Sequence, residues 1–321
     1  MIEILLDNKN GNLWDISDIA CSISWKTSRI GSPGKLDFTL VKRGIYQDKS
    51  FKYSNGDIVR VVKDGMNVFY GYIFSIDEGK NEEVKISCYD QIRYLLSNAT
   101  YKFINATAAD VLRIIAADFN LKVGRIDDTG YKIPRLIEDG KKLLDIICKA
   151  LDYTLINTGN NYFLYDDFGT LSIRRSDDML LDFIIGDGSL MYDYSSKRSI
   201  DEDTYNRVKL YKDNKTDKGE EYRVQDSANI AKWGLLQLYQ SIDENMNSAQ
   251  INELLKTLIA IKNRETKSLR IDAMGNNRVR AGCYVPVIIE EYGINQPFIV
   301  EECTHKFEGS DHTMSLELKV I

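Results

Sequence analysis

Two stretches of this chain, one near each end, share one outline of alternating apolar and polar residues. Each copy has a glycine before a first strand, then a turn, a second strand and a closing strand. The segments are 56–61, 69–73 and 84–88 in the first copy, and 282–287, 298–300 and 314–320 in the second. Because successive side chains of a strand point to opposite faces, each run predicts a strand with one buried face. The repeat therefore predicts a mainly β fold with two similar small β-barrels.

Bulk composition is that of an ordinary globular protein. The 321 residues suffice for two or three domains, and 43% of them are apolar and 28% charged. The net charge of -6 disfavours sequence-independent nucleic-acid binding, which needs a basic face. No apolar run approaches the roughly 18 residues of a membrane-spanning helix. The N-terminal residues lack the basic segment and cleavage site of a secretory signal, so we expect a cytoplasmic chain unless another route exports it.

The pattern changes along the chain and predicts α+β insertions between the β segments. The predicted regions are a first barrel over 1–97, a small α+β domain over 98–195, a second barrel over 196–225 and 266–321, and a pair of helices over 226–265 inserted into that second barrel.

Helix signals in the α+β region are clear. Thr107 followed three residues later by Asp110 is typical of a helix N-cap, and Gly124 supplies a stop. A second helix is expected over about 140–151, with three short strands following over about 153–174.

The helical insertion has two candidate N-caps, Asp226 and Asn247, each followed by apolar residues at helical spacing. The charged run 212–219, just before it, is expected to form the tip of a hairpin.

Only two histidines occur, His305 and His312, and they flank a predicted turn close to Cys303 and Cys283. A metal site is conceivable there. No pair has metal-ligand spacing, however, and Cys303 and His305 are alternate residues of one strand, which favours packing. The five cysteines include no C-x-x-C pair and predict no disulfide framework; Cys21, like Cys88, is expected to be a buried thiol.

Other candidate sites are weaker still. Adjacent acidic residues could suggest the carboxylate pair of a glycosidase, but neighbours in turns usually point apart. The Gly186-Asp187-Gly188 run lacks the third glycine of a phosphate loop and predicts a turn. Three tyrosines could form a binding platform, although cross-strand packing is the commoner use. These candidates are Asp127-Asp128, Asp166-Asp167, Asp177-Asp178, Gly186–Gly188, Tyr153, Tyr162 and Tyr165. We therefore predict no catalytic, metal-binding or cofactor-binding residue, and no enzyme activity.

Four motifs, in order along the chain, resemble the XkdQ-type proteins of PBSX-like prophages. They are Trp25 to Leu40 with the turn Ser32-Pro33-Gly34, the strand Ser199 to Lys209, the helical stretch Ser227 to Gln237 with Lys232-Trp233-Gly234, and the strand–turn–strand Ala273 to Val287. That family is similar to the baseplate hub proteins of contractile-tailed phages, the late control protein D group, and to the N-terminal part of type VI secretion spike proteins.

The resemblance implies a structural baseplate hub of a contractile phage tail or a phage tail-like particle. It implies a homotrimer in which each subunit supplies two tail-tube-like barrels. Six barrels would then form a pseudo-six-fold ring that joins a hexameric tail tube to a trimeric spike. An acidic chain further predicts a ring lumen without net positive charge.

Partners and location follow from the same resemblance. We expect contacts with the tail tube protein, a separate spike or tip protein, other baseplate proteins and the tape measure protein. No sequence-specific nucleic-acid binding, membrane insertion or cofactor is expected. Assembly would take place in the bacterial cytoplasm, and the product would be a virion or an extracellular tail-like particle such as a bacteriocin.

Two other functions remain open at this point. A tail-tip cell-wall hydrolase would need paired carboxylates or an activated nucleophile in a cleft. A receptor- or glycan-binding tail module would use the tyrosine-rich part of the α+β region.

Overall fold

The computed structural model describes residues 1–42, 48, 50–80, 82–201, 203–212, 219–244 and 246–319. The chain divides into two compact units. We call them the main unit, residues 1–195 and 270–321, and the inserted unit, residues 196–269.

The main unit begins with seven strands, which we call the first half. They are β1 (Ile2–Asp7), β2 (Leu13–Asp15), β3 (Ala20–Ser28), β4 (Lys35–Val41), β5 (Ile58–Lys63), β6 (Met66–Glu78) and β7 (Glu83–Tyr89). Their core side chains alternate with outward-facing ones, as the period of two predicts. In β4, for example, Leu36, Phe38 and Leu40 are almost fully buried.

The middle region, residues 91–179, is a small α+β assembly. It contains a 3-10 helix (Gln91–Leu96), β8 (Asn98–Ala106), α1 (Ala108–Asp118), β9 (Val123–Ile126), β10 (Ile133–Lys142), α2 (Leu143–Thr158), β11 (Tyr162–Asp166), β12 (Leu171–Arg175) and a 3-10 turn (Ser176–Met179). β8 pairs with β10, and β12 lies between β11 and β9. The two helices share one apolar core with both small sheets.

The helix start in this region is confirmed, but the helix ends are not where the sequence placed them. The Thr107 hydroxyl accepts from the Asp110 N–H while the Asp110 carboxylate accepts from the Thr107 N–H, forming a capping box. α1 ends at Asp118, and Gly124 is not its stop. Gly124 lies in β9 instead, where an added Cβ would be 2.4 Å from the Thr170 hydroxyl of the neighbouring chain segment.

α2 is longer than the predicted 140–151. It continues to Thr158 because residues at helical spacing, including Thr154, stay buried, and Gly159 ends it in the left-handed conformation at φ 73°. The segment 153–158 is therefore helical, which leaves two strands where three were expected.

Two strands then carry the chain towards the inserted unit: β13 (Ile185–Gly186) and β14 (Met191–Ser199). The inserted unit contains β15 (Arg207–Lys212), β16 (Glu220–Gln225), α3 (Ser227–Trp233), β17 (Gln237–Ile242) and α4 (Ser248–Lys262). Its sheet has the order β16-β15-β17, and Ile251 and Leu255 of α4 pack against Val208 and Leu210 of β15.

This arrangement corrects the expected composition of the second barrel. The segment 196–225 was assigned to that barrel, but β15 and β16 pair with each other and β15 pairs with β17. The buried face of β15 is covered by α4, so the segment forms its own small core. A strand, β17, also separates the two predicted helices. Their caps are confirmed, since Asp226 accepts from backbone N–H groups of α3 and Asn247 forms a capping box with Gln250. Residues 213–218 of the predicted charged tip lie outside the described residues.

The chain returns through β18 (Thr266–Met274), β19 (Tyr284–Ile289), β20 (Ile294–Glu308) and β21 (Asp311–Lys319), with a 3-10 turn at Glu290–Tyr292. Strands β13, β14 and β18 to β21 form what we call the second half. All strands of both halves belong to one 13-stranded sheet with the path β14-β18-β21-β20-β3-β4-β7-β6-β5-β1-β2; β19 pairs with β20, and β13 pairs with β19. The mainly β class is thus confirmed. β13 and β14 join this sheet rather than the α+β domain expected over 98–195.

The predicted repeat is visible in the strand order. The first half contains the path β3-β4-β7-β6-β5, and the second half contains the matching path β14-β18-β21-β20-β19. In both halves a long strand lies between the strands that precede and follow it in sequence.

Hydrogen bonding shows the same repeat in detail. The Gly56 N–H donates to the Ile73 carbonyl at 2.7 Å, and the Gly282 N–H donates to the Val300 carbonyl at 2.8 Å. Both glycines have positive φ, 90° and 93°. The pairing of each long strand with the strand that follows shifts immediately after Ile73 and after Val300. Ile73 and Val300 are therefore equivalent positions.

The halves differ at one connection. β3 and β4 are joined by residues 29–34, whereas the equivalent strands β14 and β18 are joined by residues 200–265. The inserted unit thus replaces a short turn of the first half.

Candidate functional site

The two histidines lie together in a buried cluster, and its hydrogen bonds fix which nitrogens carry protons. His305 Nε2 is 2.9 Å from the Val279 carbonyl oxygen and 3.1 Å from Cys303 Sγ, while His305 Nδ1 is 2.9 Å from His312 Nε2. Because a carbonyl can only accept, His305 carries its proton on Nε2. Its Nδ1 then accepts from His312 Nε2. The Trp25 ring stacks on the His305 ring at 5.0 Å.

Burial of this cluster disfavours the charged forms that a nucleophile–base pair needs. Burial lowers the pKa of His305 to about 3 and that of His312 to about 4, so both rings are neutral near pH 7. Burial also raises the pKa of Cys303 well above its usual range, which disfavours the thiolate. Within the described ranges, no three His, Cys, Asp or Glu side chains are grouped so as to hold a metal ion. Cys303 and His305 are both fully buried, so their side chains are packed inside the main unit.

Burial of the other cysteines differs from one to the next. Cys88, Cys283 and Cys303 are buried, whereas Cys21 is exposed, contrary to expectation. The β3–β4 register shifts between Cys21 and Ser24, so the strand changes the face on which its side chains lie.

The adjacent acidic residues serve turns and local ion pairs. Asp127 accepts from Arg125 Nε at 2.8 Å, and Asp177 pairs with Arg175 at 2.7 Å. Asp128 accepts from the Gly130 N–H at 2.9 Å.

Gly186-Asp187-Gly188 is also structural. Gly186 pairs with Ile288 of β19, and an added Cβ would lie 2.0 Å from the Ile288 carbonyl oxygen. Asp187 accepts from the Glu290 N–H at 2.7 Å. The run therefore permits close strand pairing and ends it, and it has no phosphate-binding geometry.

A buried acidic pair that sequence reasoning missed lies at the junction of the middle region with both halves. Asp90 is buried and accepts from the Gly34 N–H at 2.8 Å and the Ile92 N–H at 3.0 Å. Asp166 accepts from the Gly169 N–H at 2.6 Å, and Arg280 donates to the Asp166 carbonyl at 3.0 Å.

Electrostatics at this junction oppose ionisation of the two acids. Burial raises the pKa of Asp166 to about 6 and raises that of Asp90 well above its usual range. The Arg280 guanidinium lowers both pKa values, and it lies 4.3 Å above the Tyr165 ring. Because Gly34, Asp166 and Arg280 belong to the first half, the middle region and the second half, we regard the junction as an architectural contact.

The three candidate tyrosines do not form a platform. Tyr165 is buried and stacks on Phe163 at 5.3 Å. Tyr153 and Tyr162 pack against the core of the middle region, and the Tyr162 hydroxyl donates to the Asp128 carbonyl at 3.1 Å.

A shallow polar groove crosses the solvent-exposed face of the large sheet. Its volume is about 380 Å³, and its charged lining residues are Lys26, Arg270 and Lys306 with Asp272, Glu302 and Glu317. The charges of these six side chains cancel, so the groove is polar without favouring anions or cations.

The contact between the two halves, which we call the seam, is made by β3 and β20. Residues 23–28 pair antiparallel with residues 302–307. Ion pairs flank it, with Lys26 2.7 Å from Glu302 and Arg29 2.9 Å from Glu301. At this end of the seam, the cations come from β3 and the residue after it, and the carboxylates come from β20. Sequence reasoning found the two halves but not their pairing, because nothing local in β3 specifies a partner so distant in sequence.

Solved structures share this fold. The 43 kDa tail protein of prophage MuSo2 from Shewanella oneidensis superposes with a TM-score of 0.72 at 18% identity, covering 98% of each chain. The E. coli c3393 protein, described as a type VI secretion component with structural similarity to T4 bacteriophage tail proteins gp27 and gp5, gives a TM-score of 0.55 at 8% identity, covering 93% of this chain and 73% of that one. The fold is that of prophage tail proteins.

Sequence comparison gives the family. The chain belongs to the YQBQ-like family, whose profile matches residues 23–319. It is 33% identical to the phage-like element PBSX protein XkdQ of Bacillus subtilis (strain 168), over 94% of this chain and 92% of that relative. No described helix is long and apolar enough to span a membrane.

Proposed function

We propose that this chain is the baseplate hub of a contractile phage tail or phage tail-like particle. Three copies form a pseudo-six-fold ring, to which each copy contributes two tube-like β modules. One side of the ring binds a hexameric tail tube and the other binds a trimeric spike. The hub contacts other baseplate proteins, acts without catalysis, and assembles in the bacterial cytoplasm before the particle is released.

The duplicated half is the observation that carries this proposal. Two modules with one strand order, equivalent hydrogen bonds and equivalent register shifts lie side by side in a single sheet. Three such chains supply six similar modules, which is what a subunit needs in order to match three-fold and six-fold partners. The name of the XkdQ relative and the tail-protein fold agree with a place in a phage tail.

The balanced charge of the groove face is suited to the wall of a channel that must not bind the molecules passing through it. We assign the groove face, which carries three cationic and three acidic side chains, to the lumen. A neutral wall neither binds passing nucleic acid nor repels it strongly. Neither this assignment nor the proposed function requires a catalytic residue.

Measurement of the mass in solution, followed by electron microscopy, tests the proposal. Mass photometry of the purified chain, alone and with candidate tube and spike proteins of the same genome cluster, should give three copies per ring. End-on class averages should show six lobes. A chain that stays monomeric with both partners would refute the hub assignment.

A zymogram separates the hub from a cell-wall hydrolase. The histidines and Cys303 are buried by packing, and Asp127, Asp128 and Asp177 accept hydrogen bonds in turns or form ion pairs, so we expect no clearing of a peptidoglycan gel. Clearing that depends on one of these side chains would favour the hydrolase.

A further inference from the structure

Two strand edges of the 13-stranded sheet lack the partner that the repeat predicts for them. β20 pairs with β21 on one side and, beyond Val300, with β3 on the other. β6 pairs with β7 in the same way beyond Ile73. No described strand lies on the other side of that stretch.

The second open edge is β14. In the first half, β3 lies between β4 and β20. Its equivalent β14 pairs with β18 and is the last strand of the sheet among the described residues. Most of its side chains are exposed, including Tyr192 at 62%. An uncovered edge strand presents free backbone N–H and C=O groups to another chain.

The two open edges are the two sides of a second seam. Because Ile73 is equivalent to Val300, residues 75–78 of β6 correspond to residues 302–305 of β20. These are the residues that pair with β3 in the seam. One chain therefore carries one complete seam and both separate sides of another.

We propose that β14 of one copy pairs antiparallel with residues 75–78 of β6 in a second copy. This pairing repeats between chains the seam that joins the two halves within a chain. The inference deepens the proposed hub function and rests on it, since it identifies the surface through which the ring would close. The contact is head-to-tail, with different surfaces on the two sides, so it generates a ring or an open chain rather than a two-fold dimer.

Charge supports the pairing independently of topology. β14 carries exposed Lys197 and Arg198, and the end of β6 carries exposed Asp77 and Glu78. The seam within the chain has the same polarity at its 302 end, where Lys26 of β3 and Arg29, the residue after β3, face Glu302 and Glu301 of β20. Asp193 lies towards the opposite end of β14 from these cations.

Backbone hydrogen bonds would give this contact its affinity, and the charges would fix its register. Addition of a strand to an exposed sheet edge is a common mode of protein recognition. Like charges placed across such a contact repel each other, so reversing the charge of one side should weaken association by on the order of a hundredfold.

Charge reversal and restoration test the inference in the full-length chain. The β14 variant is Lys197→Glu with Arg198→Glu, and the β6 variant is Asp77→Lys with Glu78→Lys. A fourfold variant combines both changes. A matched control reverses two exposed cations of the middle region, Lys102→Glu with Arg135→Glu. Sedimentation velocity over a concentration series gives the association constant, and thermal unfolding checks that each variant is folded.

We expect each twofold variant to dissociate while the fourfold variant and the control associate as the wild type does. If folded twofold variants associate like the wild type, the seam between copies is wrong, although a trimeric wild type would leave the hub function standing. Failure of the fourfold variant to associate also overturns the charge pairing. A wild type that never self-associates overturns both this pairing and the hub.

Hydrogen exchange provides a second measurement if a variant fails to fold. On association of the wild type, the amides of residues 74–78 and 191–199 should exchange more slowly, and those of β8 should not change. Unchanged exchange at both edges in the associated protein would overturn the pairing.

Discussion

The buried imidazole of His305 should make the stability of this protein fall on mild acidification. Its pKa is about 3 in the folded chain, because of burial, against 6.5 for the ordinary side chain. Between these values the unfolded chain binds more protons, so the free energy of unfolding rises with pH. Acidification from pH 7 to pH 5 should therefore remove about 2 kcal/mol through this one group. His312, which is only half-buried, should add a smaller loss of the same sign.

Comparison with His305→Gln isolates this effect from other titrating groups. Glutamine keeps a donor for the Val279 carbonyl but does not titrate. Urea unfolding at pH 7 and pH 5 should show that the wild type loses about 2 kcal/mol more than the variant. The variant's own stability at pH 7 does not enter this difference. Parallel pH profiles, within about 0.5 kcal/mol, would show that His305 is accessible to protons and that the cluster is open.

Three further changes test the fold. Asp166→Asn should raise the free energy of unfolding at pH 8 relative to wild type, since the raised pKa means that the ionised carboxylate is disfavoured there; equal stability, measured by urea unfolding, would contradict this. Gly71→Ala should lower stability by about 2 kcal/mol or more, because the new Cβ would lie 2.4 Å from the Tyr89 carbonyl oxygen. Gly79→Ala is the control, since its new Cβ would meet open space and should leave the thermal unfolding temperature nearly unchanged. Thr107→Ala should cost about 1 kcal/mol through loss of the α1 cap, with circular dichroism as the measure; no loss would show that the capping box is dispensable.

Local patterns in the sequence were sufficient for much of the fold. A period of two located the repeated strands, and the glycines at 56 and 282 marked equivalent starts because both require positive φ. Capping residues located the starts of three helices. Such signals determine the conformation of residues close to them in the chain, so they can be identified in a single sequence.

The sequence did not predict which strands pair when they are distant along the chain. It therefore did not predict the domain limits that depend on this pairing. The strand at 207–212 alternates much as the barrel strands do, and only the α4 side chains covering Val208 and Leu210 show that it belongs to a separate core. The Asp90–Asp166 junction joins residues from distant turns, and each acid alone resembles an ordinary turn residue. The contact between the two histidines could be predicted, because both strands of their hairpin are adjacent in sequence.

The unequal connection between equivalent strands has a consequence for symmetry. Six modules derived from one repeat would otherwise present nearly identical rims. Because the short turn at 29–34 is replaced by the inserted unit only in the second half, every other module of the proposed ring would carry an appendage. The six modules would therefore have three long and three short connections at this position in the chain. The strands that the two halves share would thus have pseudo-six-fold symmetry in the proposed ring. The unequal connection would have three-fold symmetry, although the ring contains a single type of chain.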